Sequence, residues 1–202
     1  MRFKLPVLIA GGLLLGVCLG LLIVPGALQR VVPKEVVRTV GTATVGGPFT
    51  LTDHTGKRVT DQDFRGRFML VFFGFTFCPD VCPTALQVSA AALDKLGAKA
   101  ARVTPVFVSV DPERDTPEQL ARYVSSFHPR LVGMTGSADE IAAVARAYRV
   151  YFRKAKDERS AAGYTVDHSS IVYLMGPDGK FITHFTHTTS VDALAAGIAR
   201  RL

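Results

Sequence analysis

Residues 68–83 constrain this chain more than any other stretch. An uncharged run, Phe68-Met69-Leu70-Val71-Phe72-Phe73-Gly74-Phe75-Thr76-Phe77, ends in two cysteines spaced C-x3-C, Cys78 and Cys82. Val71, Phe72 and Phe73 are β-branched or aromatic, which predicts a central strand covered on both faces. Pro83 suits the first position of a helix, where no intrahelical N–H bond is needed. Leu86, Ala90, Leu93 and Leu96 then recur at helical spacing, and Gly97 ends the pattern. Cys82 therefore sits at or next to a helix N-terminus, with Cys78 in the turn before it. The helix dipole favours an anion there, so both thiols are expected to work as thiolates. A thiolate pair is either a redox couple or a soft-metal site.

The rest of the chain narrows the setting. Its 202 residues, 48% of them hydrophobic, leave room for one membrane segment and one domain with a real core. Residues 5–24 carry no charge and only one proline, near their start. Twenty residues at about 1.5 Å each span roughly 30 Å, the thickness of a bilayer core. Arg2 and Lys4 precede the run, which keeps the N-terminus in the cytoplasm and the remainder in a periplasm-like space. Arg30, Lys34 and Arg38 on the far side oppose that orientation. A cleaved signal peptide is the competing reading. The length of the run and the lack of an A-x-A site favour an uncleaved anchor. No Arg/Ser-rich transit segment is visible, which favours a bacterial inner membrane over a mitochondrial setting. Cys18 lies within the run, preceded by Val17 where a lipoprotein site wants a small residue; it reads as a lipid-facing or packed thiol. The organisation expected is an anchor over 1–24, a Pro/Gly-containing linker over 25–46, and a domain over 47–202.

The charge of +7 is uneven. Residues 1–40 hold five of the 24 Lys/Arg and one of the 17 acids, which leaves 19 basic and 16 acidic residues for the remainder. That is an ordinary solvated surface without the basic stripe that nucleic acid requires. Two thiols in the globular part are too few for a disulfide-stapled scaffold.

In order, the domain shows short strands at 49–52 and 58–60 around a 53–57 turn, the central strand, the helix after Cys82, and a second buried strand at 103–110. A helix follows with Thr116 as N-cap and Pro117 first, running to about Phe127. Then come a strand at 131–134, a helix from Ser137 or Ala138 through Tyr148, and a charged hairpin or loop at 151–164. Strands at 171–175 and 181–185 flank a Gly176-Pro177-Asp178-Gly179 turn, and a helix closes the chain at 191–200. Early alternation of strand and helix implies a parallel core, and the closing hairpin adds an antiparallel edge. The fold class expected is α/β: a thioredoxin-like central mixed sheet flanked by helices, with an N-terminal transmembrane helix.

The dithiol departs from the usual redox spacing C-x2-C. Thioredoxin-like oxidoreductases resemble one another in a proline before the strand facing the dithiol. Here Tyr164-Thr165-Val166-Asp167-His168-Ser169-Ser170 stands there, with no proline. His168 would approach the thiols from the facing loop. Two soft thiolates and one imidazole suit copper in either oxidation state, or zinc. Asp167 could orient or neutralise, as outer carboxylates do.

Three stretches together resemble the Sco/SenC copper proteins: Gly74-Phe75-Thr76-Phe77-Cys78-Pro79-Asp80-Val81-Cys82-Pro83, Val110-Asp111-Pro112-Glu113-Arg114-Asp115-Thr116-Pro117, and Asp167-His168-Ser169. The resemblance covers about residues 45–202; Phe75 stands where the family often has tyrosine. It implies a membrane-tethered thioredoxin-like domain that binds copper, Cu(I) or Cu(II), through Cys78, Cys82 and His168. It further implies a part in assembling the CuA centre of cytochrome c oxidase subunit II, by delivering copper, by reducing the target cysteines, or by both. Other periplasmic copper chaperones are the partners expected besides subunit II.

The competing readings are a thiol–disulfide reductase using Cys78 and Cys82 without obligatory metal, and a peroxiredoxin-like peroxidase. The latter wants a threonine three residues before its cysteine, where this chain has Phe75 and Pro79. Of the other candidates, His54 and His128 read as solvated or capping, and Met134 and Met175 as core. His184 and His187 lie in and just after the last strand. Asp80 either tunes the site or caps its turn. Asp111 and Asp115 read equally as loop acids of the family and as turn-and-cap residues.

Overall fold

The computed structural model describes residues 44–160 and 162–202. The expected anchor, Cys18 and nearly all of the expected linker lie outside them. Among the described residues no helix is long and apolar enough to cross a membrane.

The central strand forms where the apolar run demands it. β3 (Phe68–Gly74) is buried at every position, so both its faces and both its edges must be covered. On one edge it pairs in parallel with β4 (Val103–Ser109), with Phe72 opposite Phe107 and Gly74 opposite Ser109. On the other it pairs antiparallel with β8 (Ile171–Met175). Outward from β4 come β5 (Val132–Thr135), parallel, then β1 (Thr50–Asp53) and β2 (Arg58–Thr60), each antiparallel to its neighbour. Outward from β8 comes β9 (Phe181–Thr186). The seven-stranded mixed sheet thus runs β2-β1-β5-β4-β3-β8-β9, as alternating strands and helices followed by a hairpin imply.

Among the described residues four α-helices flank it: α1 (Val81–Leu96), α2 (Pro117–Ser125), α3 (Ala138–Ala147) and α4 (Val191–Ala199). Thr116, Ser137 and Ser190 cap the last three through their hydroxyls, each accepting a backbone N–H from the first turn. α1 and α4 pack together, α2 lies against β5 and α3 against β1. Met134 and Met175 are fully buried core residues, as expected.

One expectation needs correction. Pro83 is the third residue of α1, because the helix begins at Val81; a proline is tolerated anywhere in that turn, whose N–H groups have no intrahelical partner. Of the alternatives at 151–164 the hairpin is the one present, and it runs on to His168: β6 (Phe152–Lys156) and β7 (Tyr164–His168) form a separate two-stranded ribbon, Phe152 opposite His168. Arg153, Lys154, Lys156 and Asp167 are exposed, while Phe152, Tyr164 and Val166 are partly or fully buried.

Candidate metal centre

β3 delivers the chain to a turn in which Cys78 N–H bonds the carbonyl of Phe75, and α1 starts three residues later. Cys78 is half-buried, and its Sγ accepts the backbone N–H of Cys82 at 3.4 Å. The sulfur thereby supplies the cap that the Asp80 carboxylate does not form. Cys82 is fully buried under Gly74, whose missing side chain makes the space. A Cβ there would lie 2.8 Å from Cys82 Sγ and 2.8 Å from Phe107 Cε2. Gly74→Ala is therefore expected to displace the sulfur or the ring, costing about 1–3 kcal/mol. Urea unfolding checks it; an unchanged midpoint would show that the neighbours yield freely.

The imidazole comes from the end of β7. His168 Nε2 lies 3.3 Å from Cys82 Sγ, and its ring meets Phe72 and Phe75 edge-on, centroids 6.1 and 5.8 Å away. Nδ1 lies 3.2 Å from the Ser169 carbonyl. A carbonyl only accepts, so Nδ1 carries the proton, and in the neutral ring Nε2 offers its lone pair to the sulfurs. The ligand atoms of Cys78, Cys82 and His168 all lie within 4.8 Å of one another. His168 is thus the last residue of a strand, not part of the loop before β8. Asp167 does not orient it. Neighbours on a strand point to opposite faces, and the Asp167 carboxylate is exposed, 3.7 Å from Arg153.

The two thiols do not ionise alike. Interaction with Cys82 lowers the Cys78 pKa against the opposing effect of burial. The same interaction, with burial, raises Cys82. Both sulfurs as thiolates, the expectation from helix position, would place two anions side by side. Two adjacent thiolates disfavour each other, so the pair gives up its protons in separate steps, Cys78 first.

Behind the thiols, the 111–117 loop is built on two buried carboxylates. Asp115 accepts from the Ser109 hydroxyl at 2.5 Å, and from the Thr76 hydroxyl and backbone N–H at 2.7 and 3.0 Å. Asp111 accepts from the Arg114 guanidinium and, at 2.9 Å, from the Tyr164 hydroxyl. Neither is only a turn residue: Asp115 ties the loop to the chain just before Cys78, and Asp111 ties it to β7. Burial raises the Asp115 pKa, opposed by those hydrogen bonds. A carboxyl whose folded pKa lies above its unfolded value favours folding while protonated, and that contribution is lost as pH rises through the folded value. Wild type should therefore lose stability relative to Asp115→Asn as pH rises above the ordinary 3.8. Urea unfolding in pH steps checks the sign, and a difference that grew the other way would contradict it.

The remaining histidines stay apart. His54 Nδ1 accepts the N–H of Gly133 within β5, tying the end of β1 to that strand, and His128 Nδ1 accepts the Arg130 N–H in the turn after α2. His184 is exposed and stacked on Phe181, and His187 is exposed. Among the described residues no other group of three His, Cys, Asp or Glu side chains converges. Sequence reading missed Arg114 and Tyr164. The one available signal was an arginine between two acids in a loop that leaves a buried strand.

Residues 37–202 match the family model described as SCO1/SenC. The human "Protein SCO1 homolog, mitochondrial" is 47% identical over 172 residues, covering 84% of this chain and 56% of that protein, so the chain spans about half the length of this curated relative. The crystal structure of Arabidopsis thaliana ScoI with copper bound superposes with a TM-score of 0.74 at 48% identity, over 77% of this chain and 96% of that one. BsSco, described as a member of the Sco family of cytochrome c oxidase assembly proteins with a disulfide switch, superposes with a TM-score of 0.62 at 27% identity, over 79% and 95%. The match to the family model takes in most of the chain, including both cysteines and the histidine: this protein belongs to the SCO1/SenC family.

Proposed function

We propose that this chain binds one copper ion through Cys78, Cys82 and His168 and serves the assembly of cytochrome c oxidase. Its substrate there is the CuA site of subunit II, to which it delivers copper, whose cysteines it reduces, or both. The observation that carries this reading is the convergence of two sulfurs and one imidazole nitrogen within 4.8 Å. Ligand atoms around one ion at about 2.0–2.3 Å stand roughly 3.5–4 Å apart, so small movements close the set. Structural zinc sites take four protein ligands, and no fourth joins the group among the described residues. A thiolate-rich three-donor set suits copper better. The copper held by the Arabidopsis relative and the assembly role stated for BsSco support the reading. The uncharged 5–24 run behind Arg2 and Lys4 supports a bacterial inner-membrane anchor with the domain facing the periplasm.

The residues divide the work. Cys78, the more exposed sulfur, is the side from which cargo enters and leaves. Cys82, buried beneath Phe107 and Gly74, holds it from inside. Phe72 and Phe75 fix the imidazole plane and keep water from the inner face. Uptake requires Cys82 to lose a firmly held proton, so affinity should fall as pH falls. Titrating the full chain with copper tests the reading. One equivalent per chain is expected, and no uptake would reject it.

A second reading is favoured by the free, adjacent thiols and by the disulfide switch of BsSco: thiol–disulfide reduction without obligatory metal. It needs only the cysteines, so His168→Ala would leave dithiol exchange intact. A reduction potential too positive to reduce a partner disulfide would count against it.

A further inference from the structure

The imidazole is carried on an element outside the main sheet. β6 and β7 form a ribbon of their own, and of their residues only Val166 is buried. A two-stranded hairpin alone is marginally stable in water. A metal ligand, however, must be held to within roughly half an ångström of its working position. Something beyond the ribbon's own ladder has to fix His168 relative to the sulfurs.

We propose that Arg114 is that residue: its guanidinium clamps the β6–β7 ribbon onto the thiol loop and so presents His168 to copper. The proposal rests on the copper reading above. The guanidinium carbon lies 4.1 Å from the ring centre of Tyr164, the first residue of β7, and 4.8 Å from that of Phe77, the residue before Cys78. It lies 5.7 Å from Phe75, whose ring in turn meets His168. Its Nη1 donates to the Tyr164 carbonyl at 3.4 Å, and its Nε to buried Asp111, which also accepts the Tyr164 hydroxyl. One cation thus joins three segments distant in sequence: the loop of Cys78, the 111–117 loop and the strand of His168. Lys154 adds a second tie, to Glu113 at 2.5 Å, but both partners are exposed and screened. Lysine cannot replace Arg114, because only a planar guanidinium stacks on rings while hydrogen-bonding at its edge. Arg114 touches no donor atom of the site; it is a positioning residue.

The test uses the full chain as wild type, Arg114→Lys, His168→Ala and the double variant, with Cu(I) alone as probe in competition with a chelator. Arg114→Lys should weaken Cu(I) binding about tenfold where His168 is present and less than about twofold where it is absent, since what is lost is presentation of the imidazole. A metal-free readout runs beside it. Amide exchange in β7 should quicken about tenfold in Arg114→Lys while β3 and β4 exchange as in wild type. Tyr164→Leu removes the ring and spares the Arg114–Asp111 pair, so it should reproduce both effects and replaces Arg114→Lys if that variant fails to fold. Equal losses with and without His168, or unchanged β7 exchange, overturn the proposal. If wild type and His168→Ala bind Cu(I) alike, the copper reading fails instead, and β7 exchange still decides whether the clamp exists.

Discussion

Serine at position 82 is expected to abolish copper uptake. A hydroxyl does not ionise near neutral pH and is a hard, weak donor, so the inner soft ligand is lost outright. The drop should exceed the roughly 10–100-fold that loss of an outer partner costs in metal sites. Cys82 is fully buried, so the new hydroxyl also has to find a partner or cost about 1–3 kcal/mol of stability. Cys78→Ser separates the two effects. Its side chain is half-buried, so the same loss of copper should come with little change in stability. Copper retention by equilibrium dialysis, beside urea unfolding of each variant, checks both. Retention of tight binding by either variant would show that its sulfur is not a ligand.

Asp111→Ala is expected to be the most destabilising single change near the site. Asp111 is fully buried, and its partner Arg114 is 12% exposed. Removing one member of such a pair leaves an uncompensated charge and costs about 3–5 kcal/mol. The Tyr164 hydroxyl loses its acceptor at the same time, so β7 should loosen first. Copper affinity should fall along with the urea midpoint, although Asp111 touches no donor atom. A stability change below about 1 kcal/mol would mean the guanidinium finds another partner, as surface pairs do.

How far the chain could be read from its residues depended on which force fixed each part. β3 was legible because burial on both faces writes itself as an unbroken apolar run. The turn-and-helix placement of Cys78 and Cys82 was legible from local chemistry. The β6–β7 ribbon was legible only as a hairpin or loop, because it is held by partners outside itself, Arg114 and Asp111 among them. The same gap moved His168 from a loop to a strand end and misassigned Asp167, since strand alternation cannot be applied before the strand is recognised. The split ionisation of the thiols was hidden for another reason. It arises from the contact between the two sulfurs, which spacing along a helix does not report.

The central claim is that the imidazole of His168 and the sulfurs of Cys78 and Cys82 act as one donor set. Copper spectroscopy with affinity by chelator competition, on wild type and His168→Ala side by side, addresses it most directly. The expected result is one copper per wild-type chain with a thiolate-to-copper absorption, and for His168→Ala an altered band and an affinity lower by more than about a hundredfold. An identical spectrum and affinity in the two proteins would contradict the account, leaving a dithiol whose neighbouring histidine is structural.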